Sequence, residues 1–271
     1  MSPARPPEGA QLPLGGSARS AKGAAEPTLI VTRPRPQCAA WLARLAELSV
    51  KAVALPLIEI LPVRDSAPVT AAWAGLREVD LAVFVSPNAV EQFFRHADRP
   101  WPAGTLTACV GPGSAQALIE QGVPASQVVQ PAADAASLDS EHLWQQLSSR
   151  RNWAGGRVLL LRGDGGREWL AERLTSAGAQ VQAVTTYHRA APRWGAAERV
   201  LLDAIRAEPT GFVWLFSSAE AVGHLQGRQL AGQRAIATHP RIAEAARAAG
   251  FDPVVLARPA PEAVTQALKG L

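Results

Sequence analysis

The chain has 271 residues, 48% of them apolar, with 27 Lys and Arg against 23 Asp and Glu for a net charge of +4. That length suits two domains of about 120 residues and suffices to bury most of the apolar surface. The mild, evenly spread charge excludes a nucleic-acid footprint but fits a small polyanion held by a few placed arginines, and no apolar run is long enough to span a membrane.

Residues 1–27, rich in Pro, Gly, Ala and Ser and lacking the apolar core of a secretory signal, read as a disordered extension rather than an organelle transit peptide. From there the expected order is strand 28–32, helix 36–48, strand 51–55, helix 67–76, strand 80–85, helix 87–97, strand 106–110, helix 112–121 and helix 138–150. It continues with strand 156–161, helix 166–177, strand 180–185, helix 196–206, strand 211–216, helix 218–227, strand 233–237, helix 240–249, strand 253–256 and helix 261–269. Short β-branched and Leu-rich runs alternating with helices give an α/β class with parallel sheets covered by helices. Gly122, Gly178 and Gly250 stand where helices want a left-handed closing residue, and Pro87, Pro112 and Pro240 where they want a first residue. PLIEILPVR (56–64) and TTYHRAAP (185–192) break the alternation and read as a pair of strands linking two domains. Cys38 and Cys109 have apolar neighbours and are expected to be buried free thiols, which fits a reducing compartment and a cytoplasmic protein.

The chain also says most things twice. Residues 29–58 lie without a gap on 158–187, pairing Arg33 with Arg162, Arg44 with Arg173, Leu45 with Leu174 and Ala54 with Ala183. VFVSPNAV (83–90) lies on LFSSAEAV (215–222), and VGPGSAQALIEQG (110–122) on ATHPRIAEAARAAG (237–250, one residue longer), the matched residues of all three blocks standing at offsets of 128 to 132. Three blocks in one order indicate two related domains, and a cleft between related domains is a common ligand site.

In a parallel sheet the ligand end is the carboxyl edge, where loops run into helix starts. Here those loops read Thr32-Arg33-Pro34, Ser86-Pro87-Asn88, Gly111-Pro112-Gly113-Ser114, Arg162 to Arg167, Ser217-Ser218 and Thr238-His239-Pro240-Arg241. Each offers backbone N–H groups, with a hydroxyl or a basic side chain beside most of them, and such helix starts bind carboxylate or phosphate. A single Ser-Pro is an ordinary cap; six such loops suggest a polyanion spread across the cleft. Gly163-x-Gly165 is a poor dinucleotide fingerprint because Glu168 stands where its third glycine belongs. Five histidines without a ligand-spaced partner argue against a metal, and no nucleophile elbow or Walker loop occurs. The eight tryptophans read as packing residues. Tyr187, the one tyrosine, falls in the proposed linker, where it is either a cleft-facing group or a half-buried linker aromatic.

TRP at 32–34, LPLIEI at 55–60, VFVSPNAV, VGPGSAQAL, LLLRGDGGREWLAERL at 159–174, then GAQVQAVTTYHRAAP, LFSSAEAV and HPRIAEAARAAGF together resemble the uroporphyrinogen-III synthase family over about residues 28–271. The resemblance implies two α/β domains joined by a two-stranded ladder, the first discontinuous, with 28–60 plus 190–271 in domain 1 and 61–189, linker strands included, in domain 2. It implies cyclisation of the linear tetrapyrrole hydroxymethylbilane to uroporphyrinogen III, with loss of water and inversion of ring D, needing neither cofactor nor metal; a monomer is the default expectation. Carried over by position, Tyr187 is the expected catalytic residue, assisting departure of the hydroxyl. Ser86, Ser114, Arg162, Gly163, Ser217 and Ser218 match loop positions that face the cleft and are expected to bind substrate; Arg33 and Arg241, basic groups of the same loops, are expected to bind its carboxylates with them. The chain departs from relatives at Ser114, where Thr is frequent, and at His239-Pro240-Arg241, where others have Gly-Pro-Thr. The rival reading is a non-catalytic two-domain binder of an acidic small molecule, which the same loops would build.

Overall fold

The computed structural model describes residues 26–165 and 168–271; the expectation for the N-terminal extension and the loop positions Gly166 and Arg167 fall outside the described residues. The strands are β1 (Thr28–Val31), β2 (Ala52–Ala54), β3 (Glu59–Pro62), β4 (Leu81–Phe84), β5 (Leu106–Cys109), β6 (Val128–Val129), β7 (Arg157–Gly163), β8 (Gln180–Ala190), β9 (Phe212–Phe216), β10 (Arg234–Ala237) and β11 (Val254–Leu256). The helices are α1 (Arg35–Glu47), α2 (Ala67–Ala74), α3 (Pro87–Phe94), α4 (Pro112–Glu120), α5 (Ser140–Arg150), α6 (Trp169–Ser176), α7 (Ala196–Ala207), α8 (Ala219–Gly223), α9 (Pro240–Ala248) and α10 (Pro261–Lys269).

One sheet has the order β11-β10-β9-β1-β2 and the other β3-β8-β7-β4-β5-β6, every pairing being parallel except β3 with β8. Helices cover both faces of each sheet, so the central strands are apolar on both sides. Leu29, Ile30 and Val31 are fully buried on β1, and Leu81, Ala82, Val83 and Phe84 on β4; each large side chain so buried contributes roughly 1.5–3 kcal/mol. The duplication is visible in space: β1, β2, β9, β10 and β11 occupy the same order in their sheet as β7, β8, β4, β5 and β6 in theirs. Each sheet therefore takes its first repeat block from one half of the chain and the other two blocks from the other half.

The linker strands expected at 56–64 and 185–192 form an antiparallel ladder, with Glu59 opposite Ala190 and Pro62 opposite Tyr187. Pro62 is tolerated because β3 is an edge strand. Three local expectations are corrected. β8 does not stop at Thr185 but runs on into the ladder, so one strand belongs to both the parallel sheet and the linker. β6, only Val128–Val129, is too short to leave a periodic signal. Helix 218–227 shrinks to α8, after which the His224 side chain Nδ1 engages Leu57 O at 2.7 Å.

Helix punctuation follows the sequence. Pro87, Pro112 and Pro240 open α3, α4 and α9, and Gly122, Gly178 and Gly250 have φ of +86°, +85° and +90°. Cys38 and Cys109 are buried free thiols, and burial pushes them up to about 11 and about 12. Trp73, Trp101, Trp153 and Trp214 are core residues, whereas Trp41 lies partly open to the cleft. Among the described residues, no helix is long and apolar enough to cross a membrane.

Candidate functional site

The carboxyl ends of both sheets face one cavity of about 430 Å³, within the range of small-molecule sites. The start of α1 lines it with Arg33, Pro34, Gln37 and Trp41, and that of α3 with Ser86, Pro87 and Asn88. Gly111 to Ser114 contribute from α4, Ser217 and Ser218 from α8, and Thr238 and His239 from α9. These helix starts present N–H groups and positive dipole ends to one space. Several are capped from within. Ser86 Oγ accepts from Ala89 N at 3.1 Å, Ser218 Oγ from Ala221 N at 3.4 Å, and His239 Nδ1 from Arg241 N at 3.2 Å. Accepting at Nδ1 leaves the neutral His239 proton on Nε2, which points towards Asp139 Oδ2 across the cleft at 3.9 Å.

Tyr187 forms part of the cavity wall, yet it is only 2% exposed and packs in the core of the second sheet with Phe84, Ala89 and Val184. Of the two sequence readings, it is a cleft-wall group and more deeply buried than a linker aromatic need be. A register shift explains the burial. Between Arg162 and Gly163 the β7–β8 pairing skips a residue, so that Gly163 faces Tyr187 directly while Thr186 Oγ1 donates to Arg162 O at 3.1 Å. The bulge re-aims the ring over the glycine, where a Cβ would lie 2.7 Å from Tyr187 Cε2 and 2.8 Å from Cζ. Only glycine fits that approach. The phenol oxygen is 2.9 Å from Ser86 Oγ, and either can donate. Because Ser86 Oγ already accepts the helix N–H, its own proton can go to Tyr187, freeing the phenol proton for a group in the cleft.

Arg33 is a poorly partnered cation. Its guanidinium stacks over Trp41 at 4.3 Å, and among the described residues its hydrogen bond is one long contact, Nη1 to Gln37 Oε1 at 3.4 Å. Nε is sealed from solvent with no partner. Desolvation outweighs the neighbouring Cys38 and lowers its pKa to about 10. Arg189, the second guanidinium of the wall, is better served: Nη2 donates to Asp164 O at 2.6 Å, and Nε lies 2.8 Å from Glu220 Oε2 as an ion pair lacking hydrogen-bond alignment.

Of the expected residues, the fold brings Arg33, Ser86, Ser114, Tyr187, Ser217 and Ser218 to the cavity. Gly163 acts from behind Tyr187, and Arg162 and Arg241 lie off the wall, Arg162 paired with Glu168 at 2.6 Å and Arg241 with Glu141 at 3.4 Å. Sequence reasoning missed Gln37, Trp41, Asn88 and Arg189. Arg189 had a signal in its spacing from Tyr187, and Asn88 in its place at a helix start; nothing in the sequence set Gln37 and Trp41 apart from a solvated helix face. Among the described residues no cluster of His, Cys, Asp and Glu could hold a metal ion.

These features define a two-domain α/β protein with duplicated sheets and a cleft framed by helix starts. The family model described as uroporphyrinogen-III synthase HemD matches residues 39–266, and the chain belongs to that family. It is 35% identical over 181 residues to the uroporphyrinogen-III synthase of Salmonella typhimurium, covering 64% of this chain and 70% of that one. To the Escherichia coli enzyme it is 32% identical over 177 residues, with the same coverage. The fold matches solved uroporphyrinogen III synthases from Helicobacter pylori (TM-score 0.53, 16% identity, 90% of this chain and 100% of that one) and, as a mutant form, Thermus thermophilus (0.53, 17%, 90% and 98%). The rival reading as a non-catalytic binder is not favoured.

Proposed function

We propose that the cleft folds hydroxymethylbilane so that its ends meet, and that the chain is the lyase that closes it to uroporphyrinogen III with loss of water and inversion of ring D. Family membership supports the reaction, and one observation supports its seat: the Tyr187–Ser86 hydroxyl pair sits in the wall where the helix starts of both domains converge. A substrate with eight carboxylates needs many weak anion sites rather than one strong one, and five helix starts with Arg33 meet that demand. Tyr187 donates a hydrogen bond to the departing hydroxyl, while Ser86 accepts from Ala89 N and donates to the phenol. Ring D can close uninverted in free solution. The enzyme's work is therefore to hold the chain in the shape that favours the spiro route, chiefly by orientation.

Ser114, Ser217 and Ser218 receive carboxylate arms directly, and Gly163 keeps space for the Tyr187 ring. Arg162 and Arg241, each one residue from a group of the site, attract the outer arms once they leave their glutamates. The same proposal divides the chain into 28–60 plus 190–271 and 61–189, supported by the β3–β8 crossing, and gives a monomer in the cytoplasm, the reducing compartment being supported by the buried free thiols. The test is to mix the protein with freshly made hydroxymethylbilane and separate the product isomers. Type III product is expected; type I alone, at the uncatalysed rate, would end the proposal.

A further inference from the structure

Arg33 and Asn88 stand at facing helix starts on opposite sides of the cleft, and Gln37 lies between them. An arginine offers only donors, so Gln37 must turn Oε1 to Arg33, at 3.4 Å, and Nε2 away from it. That Nε2 donates to Asn88 Oδ1 at 3.0 Å, across the two domains. The two ends of the amide are unequally served. The Asn88 contact has normal length, and Asn88 is 7% exposed, so the acceptor end of the bond is shielded from water. The Arg33 contact is at the outer limit of a hydrogen bond and leaves a cation with a sealed, unpartnered Nε lining the cavity. Buried charges are otherwise paired, so the guanidinium is a site whose proper occupant is an anion.

Asn88 is the second residue of the helix that Ser86 caps, and Ser86 Oγ lies 2.9 Å from the Tyr187 phenol oxygen. Two polar links, Arg33–Gln37–Asn88 and Ser86–Tyr187, thus meet at the first turn of α3 and are joined there by its backbone.

We infer that Arg33 is a carboxylate subsite held open by Gln37, which yields the guanidinium to a substrate acetate or propionate arm but keeps its bond to Asn88, so that capture of that arm fixes α1 against α3 beside Tyr187. This rests on the tetrapyrrole reading above and assigns Gln37 and Asn88 as positioning residues within it. A carboxylate meeting the guanidinium edge-on makes two bonds between opposite charges in place of one long bond to a neutral amide. Replacement of the glutamine oxygen is therefore downhill.

Two substitutions at Gln37 separate this from a structural role, because only one of them should weaken binding. Gln37→Glu plants a permanent carboxylate against Arg33, so KM for hydroxymethylbilane, and Kd for the octacarboxylate uroporphyrin III measured by fluorescence, should both rise about tenfold. Gln37→Ala uncovers Arg33 but cuts the tie to Asn88; KM should stay level or fall, while kcat drops several-fold and the share of type I product rises. In an Arg33→Ala background the Gln37→Glu effect should vanish, whereas simple repulsion of a polyanion by an added charge would persist there. Unchanged KM and Kd for Gln37→Glu, equal rises for both single variants, or a Gln37→Glu effect surviving without Arg33 would each overturn the inference. If the wild type yields no type III product, the functional reading fails instead, whatever Gln37 does.

Discussion

Replacing Arg33 by Met should make the empty protein more stable while harming its activity. The guanidinium is charged at neutral pH, yet burial has brought its pKa from above 12 to about 10. At about 1.4 kcal/mol for each tenfold in the protonation equilibrium, that drop corresponds to roughly 3.5 kcal/mol, which the partial exposure of the Arg33 side chain reduces to ~3 kcal/mol or less. Against this, Met gives up the stacking of the cation on Trp41, worth about 0.5–2 kcal/mol, and the long bond to Gln37, worth about 0.5 kcal/mol or less. Met keeps the apolar stem over the indole and leaves no buried donor, so the balance favours the variant by about 1 kcal/mol. For a chain of this size that raises Tm by roughly 2–4 °C. The sign with pH is fixed as well: a base whose folded pKa lies below its unfolded value bears the full cost at every pH below about 10, and the cost eases only as pH climbs from there. The gap between variant and wild type should therefore be flat from about pH 6 to 9. Thermal and urea unfolding without substrate measure it, and KM measured alongside should rise about tenfold with the loss of a charge-assisted contact. A Met variant that is destabilised by 1 kcal/mol or more would refute the reasoning and make Arg33 a structural support.

Tyr187→Phe keeps the packed ring and removes the hydroxyl contact with Ser86, so kcat should fall roughly tenfold, less than a general acid commonly contributes, with KM and Tm close to wild type; full turnover would exclude leaving-group assistance. Gly163→Ala puts a methyl into the Tyr187 ring, whose Cε2 lies 2.7 Å from the new carbon, and should cost about 1–3 kcal/mol of stability together with most activity, as denaturation and product assays would reveal. Asp80 is held below the usual carboxylate range by the backbone N–H of Arg157 and, after desolvation opposes it, by Arg151. A depressed acid stabilises the fold above its unfolded pKa and loses that benefit as pH falls through the folded value, so Asp80→Asn should unfold more easily than wild type at pH 6, with the gap closing steadily as the solution is acidified; a gap independent of pH would show that the charge is not what matters.

The sequence by itself determined the alternation of strands and helices, because that rests on local periodicity, and most helix starts and ends, because proline and glycine act through their own backbone angles. It also determined the duplication, since Arg33, Phe84 and Pro112 have counterparts at near-constant spacing whatever the fold does with them. Much of the cavity wall was legible for the same reason: in parallel sheets the loops after the strands, with Ser86, Ser114, Ser217 and Ser218, must gather at one edge. Only the tertiary structure decided which blocks share a sheet, because the chain crosses at β3 and β8 and each domain borrows from the other half. It decided too that Tyr187 is buried. That depends on a bulge at Gly163 in a pairing between distant segments, which no local pattern encodes. Gln37, Trp41 and Asn88 became site residues only when α1 and α3 were set against each other, since a side chain on a helix surface acquires a partner from packing and not from its neighbours in sequence.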